Sequence, residues 1–85
     1  KSEGLLGAKN PTPIYFETRF GVHTFFMKFP IDVVILDSAG RVVAYKSLAP
    51  NTVFIWNPLY KRVLELPAGE VKRRKIVMGT TIKVS

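Results

Sequence analysis

The chain has 85 residues, 47% of them hydrophobic, and its thirteen basic and six acidic side chains give a formal net charge of +7. A domain of this length buries only about 60–65% of its unfolded surface, so its core is modest. The absence of cysteine excludes disulfides and thiolate metal sites, and a single histidine argues against a zinc or iron site built from protein ligands alone.

The sequence shows no pattern of membrane insertion or export. No apolar run approaches the length of a membrane span, and no signal-peptide pattern opens the chain. The aliphatic and aromatic content is ample for folding. We therefore expect residues 1–85 to form one cytoplasmic domain with no cofactor, no metal and no membrane-spanning segment.

The first predicted strand covers residues 14–20, after a rigid turn at residues 10–13 that contains two prolines. Its aromatic and β-branched residues favour extended structure, and Gly21 then breaks or bulges it. Residues 22–29 predict a short extended piece and an irregular approach to Pro30. Because proline has no N–H for a sheet ladder, Pro30 should mark the start of a strand.

The most strand-like run in the chain is residues 31–36, which are aliphatic and mostly β-branched apart from Asp32. Residues 37–40 follow it with the composition of a turn and end in a glycine. A second β-rich run covers residues 41–48. Two such runs around a short glycine-containing turn predict a β-hairpin.

The remaining elements are short. Residues 52–56 and 61–66 predict two further strands, and residues 80–84 predict a last one. Residues 70–75 predict a short helix, because Gly69 can serve as N-cap, an acidic residue lies in the first turn and basic residues lie in the last. Short strands without a βαβ rhythm predict a mainly β fold, a small antiparallel, curled sheet or half-barrel with one short helix.

Asp32 is the most unusual polar residue, because it lies in an otherwise apolar strand. It shares a strand face with Val34 and Leu36, so we expect it to be buried. A buried carboxylate must find a cation or hydrogen-bond donors, or remain neutral. Lys28 is the nearest cation in the sequence and His23 is the second choice. We therefore expect an ion pair between Asp32 and one of them.

Glu65 is a second carboxylate on a predicted strand. If it converges with Asp32, the two carboxylates can act as a general acid and base, which makes a small enzyme one alternative. A structural ion pair around Asp32 is the bland alternative. The preferred hypothesis is a non-enzymatic binding module, with no catalytic residue assigned. Its polar pocket contains His23, Thr24, Phe26, Lys28, Asp32 and Glu65.

Basic residues are concentrated between positions 61 and 75. Such an excess can attract nucleic acid or an anionic ligand, and nucleic-acid binding is a second alternative function. The run lacks regular aromatic or glycine interleaving, which favours a solvated face that keeps the domain soluble. The residues are Lys61, Arg62, Lys72, Arg73, Arg74 and Lys75, against Glu65 and Glu70.

Two blocks of the chain carry specific motifs. In the first, residues 22–37 with Gly40, an aromatic residue precedes Met27-Lys28, and Pro30 and Asp32 follow; the second is residues 63–69, which read Val-Leu-Glu-Leu-Pro-Ala-Gly. Together they resemble the uncharacterised domain-of-unknown-function family 192. Residues 4–7 are similar to an early Gly-Leu-Leu-Gly segment of that family, so the resemblance covers nearly the whole chain.

The resemblance implies a compact, mostly β domain without an established activity. It adds weight to Lys28, Asp32 and Glu65 as a polar cluster, whether that cluster binds, catalyses or only holds the fold. Members usually carry a further strand before the segment at residues 4–7, and we expect residues 1–85 to lack it. They often have Gly-Asp where this chain has Gly79-Thr80.

Overall fold

A computed structural model describes residues 13–19, 21–25 and 27–83. Within these residues the chain forms six strands and one short helix. The elements are β1 (Ile14–Glu17), β2 (Gly21–His23), β3 (Ile31–Leu36), β4 (Val42–Leu48), β5 (Val53–Ile55), β6 (Arg62–Pro67) and α1 (Glu70–Arg73). The predicted mainly β fold with one short helix is confirmed.

The strands form two antiparallel sheets that do not close into a barrel. The main sheet has the order β1-β6-β3-β4, and a smaller sheet pairs β2 with β5. All six residues of β3 are buried, because this strand lies inside the main sheet and both of its faces are covered. The most apolar run in the sequence therefore became the centre of the fold.

The main sheet has two faces, which strand alternation assigns residue by residue. We call the face with Ile31, Val33 and Ile35 the front face and the face with Asp32, Val34 and Leu36 the rear face. The β2–β5 sheet covers the front face through Val22 and Phe54, together with Trp56 just after β5. The rear face is covered by Val71 of α1 and by Ile76.

The predicted hairpin joins β3 to β4 through Asp37. Its side chain accepts hydrogen bonds from the backbone N–H groups of Ala39 and Arg41, both at 2.9 Å. The hydrogen bond from Arg41 is the main cause that lowers the pKa of Asp37 below its ordinary value. The register then shifts between Ile35 and Leu36, so β4 carries one extra residue, a β-bulge.

The ends of several elements differ from the sequence-based expectation. The predicted strand at 80–84 is only an isolated bridge between Arg41 and Thr81 as far as residue 83, and residue 84 lies outside the described part. The helix ends at Arg73, because Lys75 takes a left-handed conformation with φ 56°. In the part of the chain that the structure covers, no helix has the length and apolarity that a membrane crossing requires.

Candidate functional site

The two carboxylates predicted to form one site lie on opposite faces of the main sheet. Asp32 is 2% exposed and pairs with Leu66, which places it on the rear face; Glu65 is 1% exposed and pairs with Val33, which places it on the front face. Because adjacent register positions point to opposite sides of a sheet, the backbone of the sheet separates them. The predicted pocket shared by Asp32 and Glu65 is therefore wrong, and so is the acid–base pair.

Asp32 is held by neutral donors and not by a cation. The Ser47 hydroxyl donates to Oδ1 at 2.6 Å, and the backbone N–H groups of Gly69 and Val71 both donate to Oδ2 at 3.0 Å. The predicted partner Lys28 is exposed and makes no ion pair with any residue in the described ranges. The predicted ion pair is wrong because three hydrogen bonds already satisfy the carboxylate.

Asp32 therefore acts as a helix cap supplied from a remote strand. The N-cap residue of α1, Gly69, has no side chain that could accept the free N–H groups of the first turn. Oδ2 of Asp32 accepts two of them and so fixes α1 over the rear face.

The other residues of the predicted pocket lie away from Asp32 or outside the described ranges. His23 ends β2, and its ring stacks on Phe25 with 4.8 Å between the ring centres. Thr24 is fully buried, and its hydroxyl accepts the backbone N–H of Thr52 at 2.8 Å, which is a structural role. Phe26 lies outside the described residues. A ligand contact by His23 or Thr24 stays a prediction.

The six basic residues of the predicted nucleic-acid surface are divided between the two ends of β6. At its start, Arg62 donates to the Tyr15 hydroxyl at 2.8 Å, and Lys61 lies 3.8 Å from Glu17. Residues 72–75 follow the other end of the strand. Nucleic-acid binding through these residues stays a prediction, and it requires a ligand that bridges two separate basic groups.

Two of the four basic residues at positions 72–75 are already paired. Glu70 accepts hydrogen bonds from Arg73, at 2.6 Å to each of its oxygens, and from Arg74 at 2.9 Å. The hydrogen bonds from Arg73 and then Arg74 are the main causes that lower the pKa of Glu70 to about 2. The same contact raises the pKa of Arg73. Only Lys72 and Lys75 therefore keep free ammonium groups in this segment.

We expect the contacts of Glu70 with Arg73 and Arg74 to make the free energy of unfolding depend on pH over a defined acidic range. The pKa of Glu70 is lowered in the folded protein, so its contribution to stability is present above pH 4.5 and is lost as the pH falls toward about 2. An NMR titration of the Glu70 carboxyl carbon should give a midpoint near 2. The Arg73→Gln, Arg74→Gln variant should move that midpoint toward 4.5, and an unchanged midpoint would contradict the assignment.

A cleft of about 650 Å³ opens on the rear face between β4 and the segment that follows β6. One wall carries Asp32, Tyr45 and Ser47, and the other carries Gly69, Val71, Ile76 and Val77. We call it the rear cleft. Two other cavities, of about 320 and 310 Å³, have roughly half its volume. Its walls are mostly apolar, with the polar group Asp32–Ser47 at one side.

Lys72 and Lys75 are two of the three described lysines that border the rear cleft. Both are exposed, and neither makes an ion pair with another residue in the described part of the protein. Lys46 also borders the cleft, but its register opposite Val33 directs the side chain to the front face, where Nζ lies 5.8 Å from the centre of the Phe54 ring. The cleft therefore presents two free ammonium groups beside an apolar wall.

Lys75 occupies a backbone position that usually belongs to glycine. Its N–H donates to the C=O of Lys72 at 3.1 Å, and the N–H of Ile76 donates to the C=O of Val71 at 2.9 Å. These two bonds define a Schellman motif, in which the residue at the position of Lys75 is left-handed and most often glycine. A lysine there accepts backbone strain and places an ammonium group at the cleft.

Sequence reasoning found Asp32, Lys72 and Lys75 but missed the two walls of the rear cleft. Tyr45, Ser47 and the segment 76–77 gave no chemical signal by themselves. The available clue was the basic excess around the short helix, for which the sequence left open a solvated face, an anionic ligand or nucleic acid.

Comparisons with known proteins give a family and no activity. The profile of the family DUF192, described as "Uncharacterized ACR", matches residues 8–84. A UPF0127 protein of Pyrococcus abyssi is 39% identical over 70 residues, which cover 80% of this chain and 60% of that protein. A UPF0127 protein of Pyrococcus horikoshii is 38% identical over 69 residues, covering 79% and 60%. The chain thus spans 60% of the length of these relatives, and no solved structure matches it significantly.

Proposed function

We propose that this chain, which belongs to the uncharacterised family DUF192 as its motifs predicted, is a binding module for an anionic ligand in the rear cleft. Because the family has no described activity, the function is inferred from the geometry of the chain itself. The proposal keeps the binding role expected from the sequence and moves the site. Of the residues of the predicted pocket that the structure describes, only Asp32 borders the rear cleft. The proposal also places the module in the cytoplasm, as expected from the sequence.

The observation that carries the proposal is the pairing of an apolar cleft with free cations. A volume of about 650 Å³ lies within the range of about 300–1,000 Å³ that is typical of ligand sites. The carboxylate that borders it, Asp32, already accepts three hydrogen bonds and offers little to a cationic ligand. Lys72 and Lys75 therefore determine the sign of the preferred ligand.

The backbone at Lys75 supports the same conclusion independently. A residue other than glycine at φ 56° carries a conformational cost of about 1–2 kcal/mol. Replacement by glycine would remove that cost and complete the usual form of the motif. A lysine that is unfavourable for folding at this position is best explained by the use of its ammonium group.

The test is an NMR titration with sodium hexanoate, which combines a carboxylate with a short alkyl chain. We expect saturable shifts of the backbone amides of Tyr45, Ser47, Val71 and Val77, with a Kd on the order of 1–10 mM. Hexylammonium chloride has the same chain with the opposite charge and should produce no such shifts. Equal binding of the two probes, or shifts scattered over the surface, would contradict the proposal.

Lys75→Gly separates binding from folding. We expect this variant to be more stable than the parent protein by about 1 kcal/mol, because it removes the left-handed lysine, yet to bind hexanoate several-fold more weakly. The matched control is Lys61→Gln, which removes an exposed lysine at the other end of β6. An equal loss of binding in the control would indicate a general charge effect in place of the rear cleft.

A further inference from the structure

Among the described residues, the outer edge of β4 has no hydrogen-bonded partner along part of its length. The order β1-β6-β3-β4 leaves β4 with one partner in the main sheet. At its start the edge is occupied: the N–H of Val42 donates to the C=O of Thr80, and the N–H of Gly79 donates to the C=O of Val42, both at 2.8 Å. The outer edge at Val42 is therefore already used for a strand-like contact with the chain's own later segment.

The register shows which later residues of β4 face the same way. Along an antiparallel pair, residues alternate between facing the partner strand and facing outward with their backbone groups. Val42 is opposite Leu36 and faces outward, so the residues opposite Val34 and Asp32 face outward as well. These are Tyr45 and Ser47, and no described residue bonds to their outward N–H and C=O groups.

This open edge lies along the rear cleft. Tyr45 and Ser47 form its strand wall, and Val71, Ile76 and Val77 face them across the gap. An extended chain paired with the edge would direct alternate side chains toward the rear face, where the cleft can receive them. The edge thus provides backbone hydrogen bonds and the cleft provides a pocket, which are the two requirements for binding by strand addition.

We propose that the ligand of the rear cleft is an extended acidic segment of another protein, which adds to the main sheet beside Tyr45 and Ser47. This inference rests on the proposed function and specifies its ligand class. The segment is acidic because Lys72 and Lys75 lie at the cleft without partners of opposite charge in the described ranges. It continues the row of edge contacts that residues 79–81 begin.

Charge argues against a second copy of the same chain at this edge. Each copy carries a net charge of +7, so edge-to-edge pairing would bring two basic surfaces together. An acidic partner would instead be attracted by the basic surface beside the edge. A free open edge with a flat row of donors and acceptors otherwise favours association between like chains.

The experiment compares two synthetic peptides of identical charge and side chains. The first is acetyl-Asp-Val-Asp-Val-Asp-Val-amide, and the second carries N-methyl groups on all of the amides between its residues, which removes the N–H donors from both edges of its strand. We expect the unmodified peptide to bind about tenfold more tightly than the methylated one. Its binding should also slow hydrogen exchange of the Tyr45 and Ser47 amides, whereas the methylated peptide should leave that exchange unchanged.

Each result has a defined meaning. Equal affinity of the two peptides would overturn strand addition while hexanoate binding could still support an anion site. Failure of hexanoate as well would overturn the proposed function itself. A matched peptide with lysine in place of aspartate should not bind. Concentration-dependent dimers in sedimentation experiments without peptide, with the same amides protected, would assign the edge to a second copy and overturn the proposal.

Discussion

Replacing Asp32 with alanine should cost about 3–5 kcal/mol of unfolding free energy, a large share of the total of about 4–13 kcal/mol expected for a domain of this size. The carboxylate accepts one hydroxyl and two backbone N–H groups in a buried position. Alanine leaves all three donors without a partner and removes the cap of α1. Urea denaturation followed by circular dichroism measures the loss.

Three further variants identify the cause. Asp32→Asn should cost only about 1–2 kcal/mol, because an amide oxygen can still accept both N–H groups while the charge is lost. Asp37→Asn should cost less than about 0.5 kcal/mol, since asparagine can form the same turn. Lys28→Met should also be nearly neutral. A large loss in Lys28→Met would restore the ion pair between Lys28 and Asp32 that the hydrogen bonds now argue against.

Gly40→Val should destabilise the domain by about 2–4 kcal/mol, through strain and a steric clash together. Gly40 has φ +82°, which β-branched residues resist, and a Cβ built on it lies 2.8 Å from the backbone oxygen of Ile82. That oxygen belongs to backbone in contact with the hairpin and cannot simply rotate away. Thermal unfolding of the variant should therefore show a clear fall in Tm.

Gly79→Val is the matched control for the clash. Gly79 has a similar φ of +87°, but a Cβ there meets nothing within 4 Å. We expect a loss of about 1–2 kcal/mol from the backbone strain alone. Equal losses in the two variants would mean that the segment around Ile82 moves aside without resistance.

Local signals were enough to predict the centre of the fold. The apolar run 31–36 and the turn ending at Gly40 identified β3 and the hairpin, and the structure confirms both. The insertion of β6 between β1 and β3 was not predictable. It depends on contacts between segments about 30 to 50 residues apart, for which the sequence carries no local pattern.

The candidate site was harder to predict, because an irregular register decides it. A hairpin without a bulge that pairs Leu36 with Val42 would place Lys46 opposite Asp32. The bulge moves Ser47 into that position and turns Lys46 to the front face. The partner of Asp32 on β4 is therefore the Ser47 hydroxyl and not the ammonium group of Lys46. The other two donors, the N–H groups of Gly69 and Val71, come from the start of α1, far along the chain.

The strand order of the main sheet has a consequence for the rate of folding and for the order in which the strands pair. The β3–β4 pair closes a loop of a few residues, whereas β6 must reach β3 across the whole of β4 and β5, and β1 must wait for β6. Because the entropy of loop closure has to be overcome before distant pairs form, the hairpin should appear early and β1 should dock last. The first strand of the chain would then be the last to join the sheet, which makes refolding over milliseconds to seconds the expectation for this small domain.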